Sequence, residues 1–223
     1  RDYKVTGVQT CALPISTIAS LVDGTDAFYG PFAYHQRFVL DRDEVTAFAD
    51  WRARPDLSLG VGASFESSRY DQQALSAGAT AWKDTMESVG AWARADWRIT
   101  AADRLRGAVR RDEFSDFAGK TTGELAYARA LGKELSLHAK VATAYRAPSA
   151  NDLAYGTSGG LPLRPEANTG YEIGLRHEDA VPNALSWTLT AFRNELSDLI
   201  DYNPVDYKTF NVAKARTQGV ELG

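Results

Sequence analysis

The sequence predicts an all-β protein: a fragment of an antiparallel transmembrane β-barrel, laid out as an open curved sheet. Three observations carry this. Period-two alternation of apolar and polar residues dominates from Phe38 onward. Many of these runs exceed the five or six residues usual in a globular sheet and reach the roughly 9–11 residues that a strand needs to cross a bilayer. The links between runs also sort by length, tight at one end and longer at the other, which suits a barrel in a membrane and has no purpose in a soluble sandwich.

The alternation gives about nine strands, at 38–54, 57–70, 87–99, 104–114, 121–131, 134–147, 168–178, 184–203 and 209–222, with Thr17 to Val22 as the tail of an earlier one. The first ends at Arg54, Pro55 and Asp56, where proline removes a ladder donor. The second runs into a longer link at 71–86, and the third reverses through 100–103. The fourth leads into 115–120, and the fifth turns at Gly132 and Lys133. The sixth stops against Pro148, which biases Ala147 to extended geometry and ends pairing at a rim. The loop 148–167 then begins with turn formers Ser149, Asn151 and Asp152 and continues through the glycines of 156–160, with Pro165 stiffening its return. A tight link at 179–183 and a longer one at 204–208 separate the last three strands.

The two parities differ sharply. One reads Val45, Ala47, Ala49, Trp51, Ala53; Leu57, Leu59, Val61, Ala63, Phe65; Val89, Ala91, Ala93, Ala95, Trp97; Leu135, Leu137, Ala139, Val141, without a charge. The other carries Asp50, Arg52, Glu66, Arg94, Asp96, Arg98, His138 and Lys140. An Arg or Lys facing lipid at the midplane costs about 2–4 kcal/mol, so the charged parity is expected to line a wet lumen. Trp51, Trp97 and Trp187 share the apolar parity near tight turns and form an expected girdle at one interface; Tyr145, Tyr171 and Tyr202 are candidates for the other. Arg129 breaks the pattern near a turn, where it can snorkel to the headgroups.

Composition narrows the function. The 223-residue chain has 25 Lys+Arg against 29 Asp+Glu, which is no footprint for nucleic acid. No apolar run approaches the roughly 18 residues of a membrane helix. His35, His138 and His177 are scattered without partners at metal-ligand spacing, and neither G-x-S-x-G nor H-E-x-x-H occurs. No catalytic residue, metal or cofactor is therefore expected. Loop position and aromatic or polar character single out Trp82, Asn151, Asp152 and Tyr155 as ligand-facing candidates. Arg94, His138, Lys140, Glu172 and Arg176 are expected to line the lumen.

The opening RDYKVTGVQTCALPI, residues 1–15, fits no periodicity. A sequencing-adapter DNA string translates to it codon for codon, with Tyr3 and Lys4 falling in the barcode. The segment is expected to be non-native and is set aside, and with it Cys11, the one cysteine. Disulfides, cysteine zinc sites and a cysteine nucleophile then drop out. Gly223 follows VEL inside a strand pattern, so 16–223 is expected to be a partial barrel with sequence on both sides.

AYRAPSANDLAYG, LPLRPEANTGYEIGLRHE, LSWTLTAFRNELSDLIDY and FNVAKARTQGVELG resemble, in order and spacing, consecutive strand blocks of TonB-dependent outer-membrane receptors. Within that superfamily they are most similar to the cobalamin (vitamin B12) receptor branch, as is FAGKTTGELAYARAL at 117–131. The resemblance is fullest over 108–223 and absent before 16. It implies a plugged barrel of roughly 22 strands, with the plug domain and the TonB-contacting box upstream and further strands downstream. The family positions it carries are Arg146, Pro148, Asn151, Asp152, Leu153, Pro165, Glu166, Glu172, Gly174, Arg193, Asn194, Asp198, Gly219 and Glu221, most of them implied to be architectural. Glu172 and Arg176 are implied plug contacts. Ala154 stands where the family suggests a bulky aromatic. The implied activity is uptake of a small-molecule ligand across the bacterial outer membrane, energised by TonB with ExbB and ExbD. A siderophore receptor and a passive porin-like barrel are the alternatives.

Overall fold

In the computed structural model the described residues are 5–12, 16–23, 35–74, 81–149, 152–153, 162–179, 185–203, 205 and 208–223; the side chains of 5–12, 16–23, 35–36, 74 and 213 lie outside the description. They form one antiparallel sheet of eleven strands: β1 Val5–Ala12, β2 Ser16–Asp23, β3 His35–Arg54, β4 Leu57–Ala74, β5 Trp82–Arg98, β6 Asp103–Phe114, β7 Lys120–Ala130, β8 Leu135–Arg146, β9 Glu166–His177, β10 Trp187–Asn203 and β11 Lys208–Leu222. From β3 to β11 each strand pairs with the next in sequence, the meander that hairpin links allow. β1 and β2 share the free side of β3, against 45–51 and 35–42 respectively. A free edge offers donors and acceptors to any extended backbone, so the aperiodic 5–12 is held there without a face pattern.

The nine strands read from periodicity are β3 to β11. Three boundaries differ in substance. β4 and β5 extend beyond the expected ends, to Ala74 and from Trp82, so most of the expected 71–86 link is strand. The polar run Ser67 to Gln73 hides no core face, but backbone pairing needs none. Trp82 therefore lies on a strand rather than in a loop, opposite Gln72 and 6.2 Å from the ring of Tyr70. The connection 178–186 is longer than 204–207, although the reverse was expected. Pro182 in that connection cannot donate to a ladder.

Cross-strand register puts each parity on one continuous face. One row runs Leu57, Trp97, Leu105, Tyr127, Ala139, Ile173, Ala191, Val220. The next runs Trp51, Leu59, Ala95, Gly107, Leu125, Val141, Tyr171, Arg193. Arg193 apart, these rows are uncharged, and the apolar side chains of this face stand out from the sheet: Val89 is 55% exposed, Ile173 54% and Val109 50%. Ala126 and Leu163 are the buried hydrophobic residues among those described. A single layer has no interior, so its apolar face needs an apolar solvent. No described helix is long and apolar enough to cross a membrane, which says nothing of strands.

Trp51, Trp97 and Trp187 do lie on the apolar face, the first two beside tight turns and Trp187 at the start of β10, after the longer 178–186 connection. Trp97 donates from Nε1 to Asp56 in the adjacent turn at 3.0 Å, and Arg54 lies over its ring at 5.8 Å. Trp187 stacks on His177 at 5.8 Å. Tyr171 stands out from the same face, 47% exposed. Tyr145 instead packs on Phe114 at 5.8 Å, next to Phe117. Arg129 has a partner in Asp103, 3.1 Å away at the start of β6, which also accepts the Tyr127 hydroxyl at 2.5 Å.

Candidate functional site: the polar face and its rim

The polar face is built by one recurring device. A large or charged side chain leans across the neighbouring strand where that strand carries glycine. Gly60 lies between Asp50 and Arg94, and the Arg94 guanidinium forks onto both Asp50 oxygens at 2.5 and 3.1 Å over it. Arg94 also lies 5.5 Å from the ring of Trp92. Trp92 in turn covers Gly62 and faces Phe48 at 6.4 Å. Over Gly90, Arg110 reaches Ser64 at 2.9 Å and chelates the buried Asp112 at 2.8 and 2.9 Å. His138 rests on Gly174, and Phe192 on Gly219. A Cβ at Gly174 would stand 2.6 Å from the Leu189 carbonyl oxygen, a backbone atom that cannot step aside. Asn194 covers Gly170 and is within hydrogen-bond reach of Asn168 and Thr217, both at 3.4 Å.

The five residues expected along the lumen share this face. Lys140 meets Glu172 at 3.1 Å across β8 and β9, and His138 Nε2 lies 3.8 Å from the same carboxylate. Arg176 stands nearer the tight end, 3.5 Å from Glu178. Asp96 pairs with Arg104. These are wet ion pairs, roughly half exposed on the cationic side, and each contributes about 1 kcal/mol or less.

At the long-loop end the structure draws several of the family-motif positions into a clamp. Arg146, the last residue of β8, donates to Asp152 at 3.2 Å and to Glu166 at 2.7 Å. Asp152 accepts the Ser149 N–H at 2.8 Å, and its own N–H donates to Ser149 Oγ at 3.2 Å. Its carbonyl accepts the buried Thr209 hydroxyl at 2.7 Å, tying the loop to β11. Glu166 accepts the Ile200 N–H at 2.8 Å, so a side chain continues the ladder on β10 where β9 has ended. Pro148, Leu163 and Pro165 are buried beneath these contacts. Leu153 is half-buried and helical.

A second tie went unnoticed in the sequence. Asp198 holds a φ of 55°, in the left-handed region that aspartate tolerates better than most residues. Its carboxylate accepts Arg164 at 2.7 and 3.0 Å, and its carbonyl accepts Asn211 at 2.7 Å. Asn211 also brackets the Arg164 backbone, accepting its N–H at 2.9 Å and donating to its carbonyl at 2.8 Å. Arg164 and Asn211 sit far apart in sequence and have no local signal; of the three, Asp198 alone was among the family positions, with nothing to mark its backbone.

Of the ligand-facing candidates, Asp152 is committed to the clamp and Trp82 to Tyr70; Asn151 and Tyr155 lie outside the described residues. Arg193 is on the apolar parity, beside Glu195, and Glu221 pairs opposite Thr190. One cluster escaped spacing rules because it spans two turns: ligand atoms of Glu134, His177 and Asp179 lie within 4.8 Å of one another. A histidine beside one exposed and one half-buried carboxylate is not by itself a metal site.

A long-stranded antiparallel sheet with a predominantly apolar outer band, tryptophans toward one interface and an ion-paired inner face is the wall of an outer-membrane barrel. The family model for the TonB dependent receptor-like β-barrel matches residues 14–223, and the chain belongs to that family. Over 181 residues it is 28% identical to the vitamin B12 transporter BtuB of Photobacterium profundum, covering 78% of this chain and 29% of that protein. The corresponding protein of Vibrio vulnificus is 27% identical over 188 residues, again with 29% of its length covered. The chain thus spans under a third of the curated relatives it matches. Among solved structures, the ferric enterobactin receptor PfeA of Pseudomonas aeruginosa superposes with a TM-score of 0.75 at 18% identity, over 92% of this chain and 36% of that one. At that identity the likeness speaks for the fold alone.

Proposed function

We propose that the chain is wall and rim of an active transporter that captures cobalamin at the outer surface and passes it inward when TonB, energised with ExbB and ExbD, pulls on a plug. On this reading 16–223 is a partial barrel, with the plug and TonB-contacting box upstream, and 1–15 is adapter-derived. The observation that supports cobalamin is the match, over most of the chain, to proteins named as vitamin B12 transporters. Binding and gated passage, rather than catalysis, fits a polar face of mutually satisfied ion pairs. The clamp supplies what capture needs at the rim, two ends of a long connection fixed to the wall. The TM-score of 0.75 to a ferric enterobactin receptor supports a second reading, a siderophore receptor, through fold only.

The test is uptake by the intact gene in a Gram-negative host lacking its own cobalamin receptor. Labelled cobalamin is expected to accumulate with TonB present and not without it. Accumulation of a ferric chelate but not cobalamin would establish the siderophore reading. TonB-independent leakage of unrelated small solutes would point to a passive barrel.

A further inference from the structure

The pairing that balances the inner face fails at one place. Toward the turn at 99–102, one inward row runs Arg52, Ser58, Asp96, Arg106, and the next row toward the turn sets Arg98 directly opposite Arg104. Four arginines thus surround one carboxylate. Arg104 takes both oxygens of Asp96, one of them through Nε at 2.7 Å. Arg52, Arg98 and Arg106 are exposed and make no ion pair among the described residues. The neighbouring carboxylates do not serve them: Asp50 is forked by Arg94, and Glu124, one row further from the turn on β7, has no cation within ion-pair distance among the described residues. Like charges set opposite one another weaken a ladder, so this stretch of wall lacks a counter-charge.

It also has room for one. Ser58, Ala108 and Ala126 surround Arg106 with small side chains, and two hollows of about 510 and 370 Å³ share Arg106 in their lining. Strands lie about 4.8 Å apart, so the three spacings from β3 to β6 spread the arginines over about 14 Å. One phosphate or sulfate covers a fraction of that width. A polypeptide segment with carboxylates a few residues apart spans it, since an extended chain rises about 3.3 Å per residue.

We propose that this patch holds an acidic segment of the domain enclosed by the barrel, with at least two carboxylates set against Arg52, Arg98 and Arg106. This rests on the reading of the chain as the wall of a plugged barrel, and adds the charge and the place of one plug contact. Guanidinium and carboxylate join through parallel hydrogen bonds, and a filled lumen strengthens their attraction by excluding water. Beside a tight turn, the contact holds the plug at the end from which TonB pulls. The ring-covered stretches over Gly62, Gly174 and Gly219 offer no comparable hold.

The test treats the intact receptor, purified in detergent, with a water-soluble carbodiimide, which joins an amine to an adjacent carboxylate as an amide and leaves guanidinium untouched. Arg98→Lys and Arg106→Lys should each give a cross-link to an Asp or Glu encoded upstream of residue 16, at least fivefold above wild type, mapped by peptide mass spectrometry. Arg111→Lys, on the outer face, should give none to that domain. The triple variant Arg98→Gln, Arg104→Gln, Arg106→Gln should let proteinase K cut the upstream domain at least threefold faster, with the heat-dependent gel shift of the barrel unchanged. Cross-links confined to wall carboxylates such as Asp96 and Glu124, or an unchanged cleavage rate in the folded triple variant, would overturn the site and leave the plugged barrel standing. An intact gene that encodes no upstream domain would overturn the plugged barrel and this site with it, and its sequence shows that before any cross-link is made.

Discussion

Ala139 and Lys140 are neighbours in β8 and live under opposite rules. Ala139 belongs to a row, from Leu57 to Val220, that carries no charge and whose polar contacts come from the tips of Trp97 and Tyr127; its stability comes from the solvent outside it. Lys140 belongs to a face where charges pair across the sheet, Arg94 with Asp50, Arg104 with Asp96 and Lys140 itself with Glu172. The apolar face is cheap to build and intolerant, because lipid offers no compensation for a charge. The polar face is laborious to build and forgiving, because water stands in for any partner removed.

Four changes break or sharpen that contrast. The largest effect is expected from Ala139→Arg, at about 2–4 kcal/mol for a cation near the midplane; the barrel should assemble poorly, read as loss of the heat-dependent gel shift in outer-membrane fractions. Normal assembly would reverse the assignment of the faces. Gly174→Ala comes next, at about 1–3 kcal/mol, the range for forcing atoms into packed space, because its Cβ would meet a carbonyl oxygen. It shows that the forgiving face is strict where a side chain already occupies the glycine's place. Glu166→Gln should cost about 1 kcal/mol, since it weakens the ion pair to Arg146 yet keeps an acceptor for Ile200; faster protease nicking within 147–165 is the readout, with the barrel intact. Lys140→Ala should fall within about 0.5 kcal/mol in a denaturant melt of the refolded intact barrel. A Lys140→Ala effect as large as Ala139→Arg would end the distinction between the faces.

The wall was legible in the sequence because one rule wrote it. Side chains alternate, lipid forbids charge, and nineteen residues, among them Val45 to Ala53 and Leu135 to Val141, obey both. Strand ends that carry a breaker, Pro55 or Pro148, were equally plain. What stayed hidden was pairing between distant polar residues. Nothing near Arg164 announces Asn211, and nothing near Glu134 announces His177, since the sheet's register brings them together. β4 and β5 outran their periodicity for a related reason: past the apolar band, backbone pairing continues after the side-chain pattern has stopped.

The glycines beneath Trp92, His138 and Phe192 have one more consequence. Rings that lie down on a neighbouring strand, instead of standing up from their own, leave the inner wall low in relief. A body seated against it would find few knobs to catch on and broad flat plates to slip across. Such a surface behaves as a bearing: it guides a moving part by contact without gripping it, and lets force applied at one end travel as sliding instead of as breakage.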